Sequence, residues 1–166
     1  MNLNFLVIFS TALIPVIVGF VWYNPRVMGT IWMRELGMTP DSNKDIKMVP
    51  ILIANLIAGV FLAAGLVSLV IHQQGIYSIL ANEASLKDSS SPLSQYVADF
   101  MLKYGQNFRT FRHGVLHGFL AAMMLILPAV TVSSLWEQRS WKYIGLTFGY
   151  WAITLMLMGG IICAYA

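Results

Sequence analysis

Four long apolar runs that contain no Asp, Glu, Lys or Arg constrain this chain more than any other feature. They cover about residues 3–23, 48–71, 113–136 and 143–166, and all 10 basic and 7 acidic side chains lie outside them. About 20 helical residues cross a hydrocarbon core roughly 30 Å thick. A charge at the bilayer centre costs at least about 2.5 kcal/mol, so this exclusion indicates a lipid environment. The runs predict four transmembrane helices.

Composition excludes several broad classes of protein. Charged residues make up 10% of the chain and hydrophobic residues 58%, whereas soluble domains carry about 25% charge. The net charge of +3 comes without a basic stripe, so no nucleic-acid partner is expected. The single cysteine, Cys163, excludes an intramolecular disulfide and a CxxC site, and is expected to pack between helices. We predict an all-α fold, a four-helix membrane bundle forming one domain over residues 1–166.

Two connections are predicted to carry helices of their own. In loop 1, between the first two runs, apolar residues 27, 28, 31, 32 and 36 favour a short interfacial helix. Loop 2, about residues 72–112, is predicted to contain an amphipathic helix from Pro92 to about Tyr104. Its apolar face could lie on lipid headgroups, cap the bundle or dock a partner. The third connection is short, so the last two transmembrane helices should be antiparallel neighbours.

Aromatic and basic side chains at the ends of the runs are typical of membrane interfaces. The predicted interfacial anchors are Trp22, Tyr23, Arg26, Trp32, Trp136 and Trp141. Loops 1 and 3 hold six basic residues, including Lys44, and loop 2 holds four. The positive-inside rule therefore predicts loops 1 and 3 in the cytoplasm, with the termini and loop 2 outside.

Three histidines form the main candidate for a metal site. His113 and His117 are four residues apart, so their imidazoles share one helical face. His72, at the end of the second run, belongs to the same membrane side and could complete a three-histidine zinc site. Asp99 or Glu83 could add a carboxylate. Interfacial or interhelical hydrogen bonding is the alternative explanation, and haem the alternative cofactor. No glutamate lies inside the HxxxH segment, so a hydrolytic zinc mechanism lacks its usual base.

Small residues predict close helix packing in the second half of the chain. The stripe in the third run resembles GxxxG and the fourth run repeats it; the residues are Gly114, Gly118, Ala122, Gly145 and Gly149. The partner helix could belong to the same chain or to another copy. Asn55 is the only strongly polar residue deep in a run, and we expect it to form a hydrogen bond across the bundle, with an effect of about 0.6–2 kcal/mol.

The sequence contains little that indicates catalysis. No ionisable Asp, Glu, Lys or Arg lies within a run, which argues against an ion-coupled transporter. No nucleophile–base pair or phosphate-binding loop is present, so no catalytic residue is assigned and an enzyme is not favoured. The leading hypothesis is a structural or accessory subunit, or a homo-oligomer, that contacts lipid and other membrane subunits without a cofactor. The alternative is a metal- or haem-binding redox or enzyme component using the histidines; a channel or carrier is the weakest hypothesis.

Several short segments resemble one bacterial membrane family. They are Gly19-Phe20-Val21-Trp22-Tyr23-Asn24-Pro25, followed by Gly29 and Trp32, then His117-Gly118, Leu127-Pro128 and Gly149-Tyr150-Trp151. Together they resemble the family catalogued as domain of unknown function 1761. The resemblance implies a small four-span protein of a bacterial inner membrane. It implies no activity, substrate or catalytic residue.

Overall fold

Four long apolar helices dominate the structure. The computed structural model describes residues 3–43 and 46–166, and no strand occurs in this part of the chain. The helices that are long and apolar enough to cross a membrane are span 1 (Phe5–Trp22), span 2 (Met48–Val70), span 3 (Phe111–Trp136) and span 4 (Trp141–Tyr165). The predicted all-α, four-span membrane fold is confirmed. Lys44, which entered the orientation count, lies outside the described residues.

Polar capping residues set where spans 1, 3 and 4 begin. The side chain of Asn4 accepts from the Val7 amide at the start of span 1. At the start of span 3 the Thr110 side chain accepts from the His113 amide, and at the start of span 4 the Ser140 side chain accepts from the Tyr143 amide. These spans therefore begin at residues 111 and 141, two residues before the apolar runs. Each cap satisfies an amide that has no partner within the helix. The polar first turn is thus part of the helix although hydropathy alone does not include it.

Proline interrupts the regular winding of spans 1 and 3. Thr11–Leu13, just before Pro15, forms a 3₁₀ turn, and Ala122–Ile126, just before Pro128, forms a π turn. Proline has no N–H and its ring crowds the preceding turn, so the hydrogen-bond ladder must change there. Such breaks persist in lipid only where neighbouring groups satisfy the backbone.

Span 4 is the central helix of the bundle. Half of its apolar 18-residue window is buried, against 28%, 22% and 17% for spans 1, 2 and 3. The other spans therefore use most of their surface against lipid and one side against span 4. Fully buried members of the core are Ala63, Ile71, Ala122, Met158, Ile162 and Cys163.

Glycines allow the closest helix contacts. A Cβ at Gly114 would lie 2.1 Å from the Gly159 carbonyl oxygen, and one at Gly118 would lie 2.1 Å from the carbonyl oxygen of Leu155. The order of these contacts runs in opposite directions along the two helices, so spans 3 and 4 are antiparallel neighbours, as predicted. In the other half of the bundle, a Cβ at Gly59 would lie 2.5 Å from the Ala12 carbonyl oxygen. Small residues thus bring the backbones of sequential spans together.

Loop 1 is joined to the connection between spans 3 and 4. After a π turn at Pro25–Gly29 it forms the predicted short helix, Thr30–Glu35. The hydroxyl of Ser140 donates to the Glu35 carboxylate, and Lys142 Nζ lies 3.4 Å from the other carboxylate oxygen. The hydrogen bond from Ser140, and then the contacts with Lys142, lower the pKa of Glu35. The two connections therefore meet on one side of the bundle.

Loop 2 contains more helix than expected. The predicted helix is present as Pro92–Tyr104, and the Ser91 side chain accepts from the Ser94 amide at its start. A second short helix, Gln74–Ile79, was not predicted. The two helices line a common apolar cavity of about 310 Å³. Part of the amphipathic face is therefore turned towards loop 2 itself.

Candidate functional site

The structure brings His72, His113 and His117 together. Each offers a ring nitrogen, and these nitrogens all lie within 4.8 Å of one another. The ring centroids are 5.0 Å apart for the pair 72/113, 4.6 Å for 72/117 and 4.4 Å for 113/117. Nε2 of His72 and Nε2 of His113 are 2.9 Å apart and share one N–H···N hydrogen bond. Three imidazoles thus converge on one point at the loop-2 end of the bundle.

Helix geometry and one side-chain bond explain this convergence. His113 and His117 occupy successive turns at the start of span 3, on one face of the helix. His72 follows directly after span 2, whose capping residue Ile71 is fully buried. The Gln73 side chain then donates to the Asn107 carbonyl oxygen, with an N···O distance of 2.8 Å. This bond ties the end of span 2 to the segment that leads into span 3.

The segment just before span 3 is also fastened to the end of span 4. Arg109 donates from Nε to the Cys163 carbonyl oxygen at 2.8 Å and from Nη2 to the Ala166 carbonyl oxygen at 2.7 Å. The Cys163 Sγ atom lies 3.3 Å from the carbonyl oxygens of both Val70 and Phe108, which share its single S–H donor. The Phe108 ring lies 5.2 Å from the His113 ring. These hydrogen bonds therefore join the ends of spans 2 and 4 to the segment before span 3, close to the histidines.

The cluster has the donor set of an open nitrogen site. Imidazole nitrogen suits zinc, copper, iron and nickel. Two nitrogens on one tetrahedral zinc ion are about 3.3 Å apart, given Zn–N distances of about 2.0–2.1 Å. The 2.9 Å pair is slightly closer than this, and the other pairs lie within 4.8 Å. Side-chain movements of up to about 1.5 Å would therefore bring the three nitrogens to zinc-ligand spacing. Neither Asp99 nor Glu83 belongs to the group, which leaves a fourth ligand position open.

Both water and lipid have access to this cluster. His72 is exposed, and His113 and His117 are half-buried. His117 also lines a cavity of about 290 Å³ with Leu69, Met124 and other apolar residues of spans 2 and 3. The site thus lies at the boundary between loop 2 and the apolar surface of the bundle.

The predicted packing residues fall into two groups. Gly114 and Gly118 face span 4 of the same chain, and Ala122 is fully buried. A Cβ at Gly149 would lie 2.9 Å from the Trp22 ring, so Gly149 contacts span 1. Gly145 differs, because a Cβ there would meet no atom within 4 Å. Four of the five residues therefore have contacts within the chain, and Gly145 does not.

Asn55 does not form the expected hydrogen bond across the bundle. Its Nδ2 donates instead to the Ile51 carbonyl oxygen of its own span at 2.8 Å, and the residue is exposed. Asn55 therefore points away from the buried core. Hydropathy did not reveal this, because span 2 is apolar on every face and its pattern does not show which face turns inward. This prediction was wrong, and the amide lies beside a surface cavity instead.

The aromatic residues predicted as interfacial anchors behave differently at the two connections. Trp136 and Trp141 are 86% and 70% exposed, which suits an interfacial position. Trp22 is half-buried, and its buried indole N–H has no hydrogen-bond partner among the described residues. Tyr23 contacts the ring of Trp32, with centroids 4.9 Å apart. Arg26 is exposed at the start of loop 1. Trp22, Tyr23 and Trp32 thus belong to packed structure as well as to the interface.

Tyr150 is a structural residue that the sequence reasoning missed. It is buried in span 4, and its hydroxyl donates to the Pro15 carbonyl oxygen at 3.0 Å. Its ring centroid is 5.3 Å from that of Tyr23. A phenol inside an apolar run was the available signal, since a buried tyrosine hydroxyl usually finds a partner. Tyr150 therefore connects span 4 to the break in span 1.

Comparison with known proteins identifies a family but no activity. The model of the family described as "Protein of unknown function (DUF1761)" matches residues 6–163. No curated protein and no solved structure matches the chain. The matched region includes spans 2 and 3, nearly all of spans 1 and 4 and the three histidines, and it is in accord with the resemblance carried by residues 19–25 and 149–151. The chain therefore belongs to the DUF1761 family of proteins of unknown function.

Proposed function

We propose that this multi-pass membrane protein binds one transition-metal ion through His72, His113 and His117. The observation that carries the proposal is the convergence of three ring nitrogens within 4.8 Å. They come from the end of span 2 and the start of span 3, which are far apart in sequence. Nitrogen-rich, open-sided coordination of this kind suits zinc or copper.

Hydrogen bonding among the three histidines explains less of this arrangement than metal binding does. One N–H···N bond links His72 and His113, whereas His117 approaches both rings without a hydrogen bond to either. An interfacial histidine needs only water or one carbonyl oxygen as a partner. Three nitrogens directed at one point also favour a single metal ion over haem, because ligands can reach a haem iron only from the two faces of a wide planar ring. Haem would have to separate rings whose centroids are 4.4–5.0 Å apart.

The site is better suited to binding a metal ion than to using that ion for hydrolysis. The histidine group contains no carboxylate, and zinc hydrolases use a nearby glutamate or aspartate as the general base. A bound ion with one open position could hold a ligand or take part in electron transfer, according to the metal. We therefore assign the site to binding and assign no catalytic residue.

Metal analysis of protein purified in mild detergent tests this proposal. We expect one zinc or copper ion per chain after titration and removal of excess metal. The variant His113→Ala/His117→Ala should bind at least about a hundredfold more weakly, because even loss of an outer-shell partner costs up to that factor. Arg112→Ala is the matched control, since this exposed neighbour offers no ligand. Equal metal content in the wild type and the double variant would refute the proposal.

We also propose that the chain assembles with other membrane subunits or with itself. Gly145 supports this, because it is exposed on span 4 and has open space where a side chain would project. The Gly114 and Gly118 stripe gives no such support, since span 4 of the same chain already covers it. Native mass measurement of protein extracted from its own membrane should show a complex that Gly145→Leu disrupts. A monomer without co-purifying subunits would contradict the assembly proposal.

The bacterial inner membrane is the proposed location, with loops 1 and 3 in the cytoplasm. The contacts of Glu35 with Ser140 and Lys142 support one common side for these loops. The surplus of basic residues in the two loops supports the cytoplasmic assignment. A periplasm-specific reporter fused within loop 2 should be active, and activity of a cytoplasm-specific reporter there would reverse the orientation.

A further inference from the structure

A second candidate binding site lies at the end of the bundle opposite the histidines. Spans 1, 2 and 4 enclose a cavity of about 340 Å³, within the size range of small-molecule pockets. Its polar lining residues are Tyr23, Asn55 and Tyr150. Phe20 and Ile51, which also line it, are 63% and 42% exposed, so the cavity opens on the lipid-facing surface.

The Asn55 side chain retains unused hydrogen-bonding capacity in this cavity. One N–H donates to Ile51, and no other described residue bonds its second N–H or its Oδ1 atom. An unsatisfied polar group in hydrocarbon costs several kcal/mol. A ligand oxygen that accepts a hydrogen bond would satisfy the second N–H, and a ligand hydroxyl that donates would satisfy Oδ1.

The depth of Asn55 in span 2 and the aromatic side chains that line the cavity restrict the class of ligand that can bind there. Asn55 lies seven residues inside span 2, about 10 Å along the helix axis from its start. A charged headgroup is unfavourable at such a depth, whereas a neutral polar group is tolerated. Phe20, Tyr23 and Tyr150 place three aromatic rings around the cavity, and such rings favour contact with another planar ring.

We propose that this cavity binds a neutral, membrane-soluble quinone or quinol. Its ring would lie against the aromatic side chains, with an oxygen atom hydrogen-bonded to the Asn55 amide. The open rim at Phe20 and Ile51 leaves room for an apolar tail in the surrounding lipid. This inference is independent of the metal proposal, because none of the cavity's lining residues is a histidine.

Quinone titration in lipid nanodiscs provides the test. The probe is a benzoquinone with a decyl tail, and the readout is saturable quenching of tryptophan fluorescence at a fixed mole fraction of lipid. Asn55→Leu should weaken binding at least about fivefold, which is the net effect of one neutral hydrogen bond. Gly19→Leu should abolish saturable binding by filling the cavity; a Cβ there makes only ordinary contact with Tyr150, at 3.8 Å.

Gly65→Leu is the matched control. Gly65 is also a span glycine with open space for a side chain, but it lines a different apolar groove. Its quinone affinity should equal that of the wild type, and circular dichroism should show that all three variants remain folded. Equal binding in the wild type, Asn55→Leu and Gly19→Leu would overturn the proposal. So would displacement of the quinone by decylbenzene, which carries the tail but no oxygen, at the concentration at which unlabelled quinone would compete.

Discussion

Gly118→Ala is expected to destabilise the protein by about 3 kcal/mol by forcing spans 3 and 4 apart. The new methyl carbon would lie 2.1 Å from the Leu155 carbonyl oxygen and 2.6 Å from its carbonyl carbon. Both are backbone atoms, so no rotation of a side chain can relieve the overlap. Overpacking of a well-packed core typically costs about 1–3 kcal/mol, and a rigid backbone contact belongs at the upper end. Denaturant unfolding in detergent, followed by circular dichroism, measures the effect.

Gly65→Ala is the control for this substitution. It makes the same chemical change in a span, but a Cβ at Gly65 meets no atom within 4 Å. We expect unchanged or slightly greater stability, because alanine is a better helix former than glycine by about 1 kcal/mol. Equal destabilisation by the two substitutions would show that the close contact at Gly118 is not what holds these helices together.

Metal binding should raise the free energy of unfolding by about 4 kcal/mol at a free metal concentration of a thousand times Kd. The physical reason is that the ligands come together only in the folded protein, so metal stabilises that state. His72 lies at the end of span 2, whereas His113 and His117 belong to span 3. The ion would therefore join two spans. Unfolding curves recorded with and without zinc measure this increase.

His72→Ala separates chelation within one helix from joining of two helices. It leaves the pair at positions 113 and 117, so weak metal binding should persist while most of the stabilisation is lost. Arg112→Ala should retain the full increase, since Arg112 is exposed and offers no ligand. A full increase in His72→Ala would mean that span 2 contributes nothing to the metal site.

The sequence predicted the spans well because the bilayer imposes a strong rule on composition. Charge exclusion located all four helices, and proline and serine placed the start of the loop-2 helix at Pro92. The short helix Gln74–Ile79 was not predicted, because its six residues are too few to show a clear hydrophobic period. Helix starts at residues 111 and 141 depend on capping hydrogen bonds, which hydropathy does not register.

The candidate site was only partly visible in the sequence. The spacing of His113 and His117 fixes a common face, and membrane topology places His72 at the same end. The Gln73–Asn107 bond, which joins the end of span 2 to the segment before span 3, is indicated by no local pattern. Asn55 was assigned to the bundle interior for a related reason. When a helix is apolar on all faces, sequence periodicity cannot distinguish its lipid-facing side from its packed side.

The π turn at Ala122–Ile126 changes how span 3 should be aligned and engineered. A π turn is equivalent to one residue inserted into an α-helix, which rotates everything beyond it by about 100°. Positions before and after the turn therefore follow different helical phases, and a single helical wheel misassigns one half. Deleting one residue from the turn would restore regular α winding and leave the buried Ser134 on its present face. The same deletion between the turn and Ser134 would instead rotate that residue by about 100° relative to the first half of the span, so the effect of a deletion in span 3 depends on where it is made.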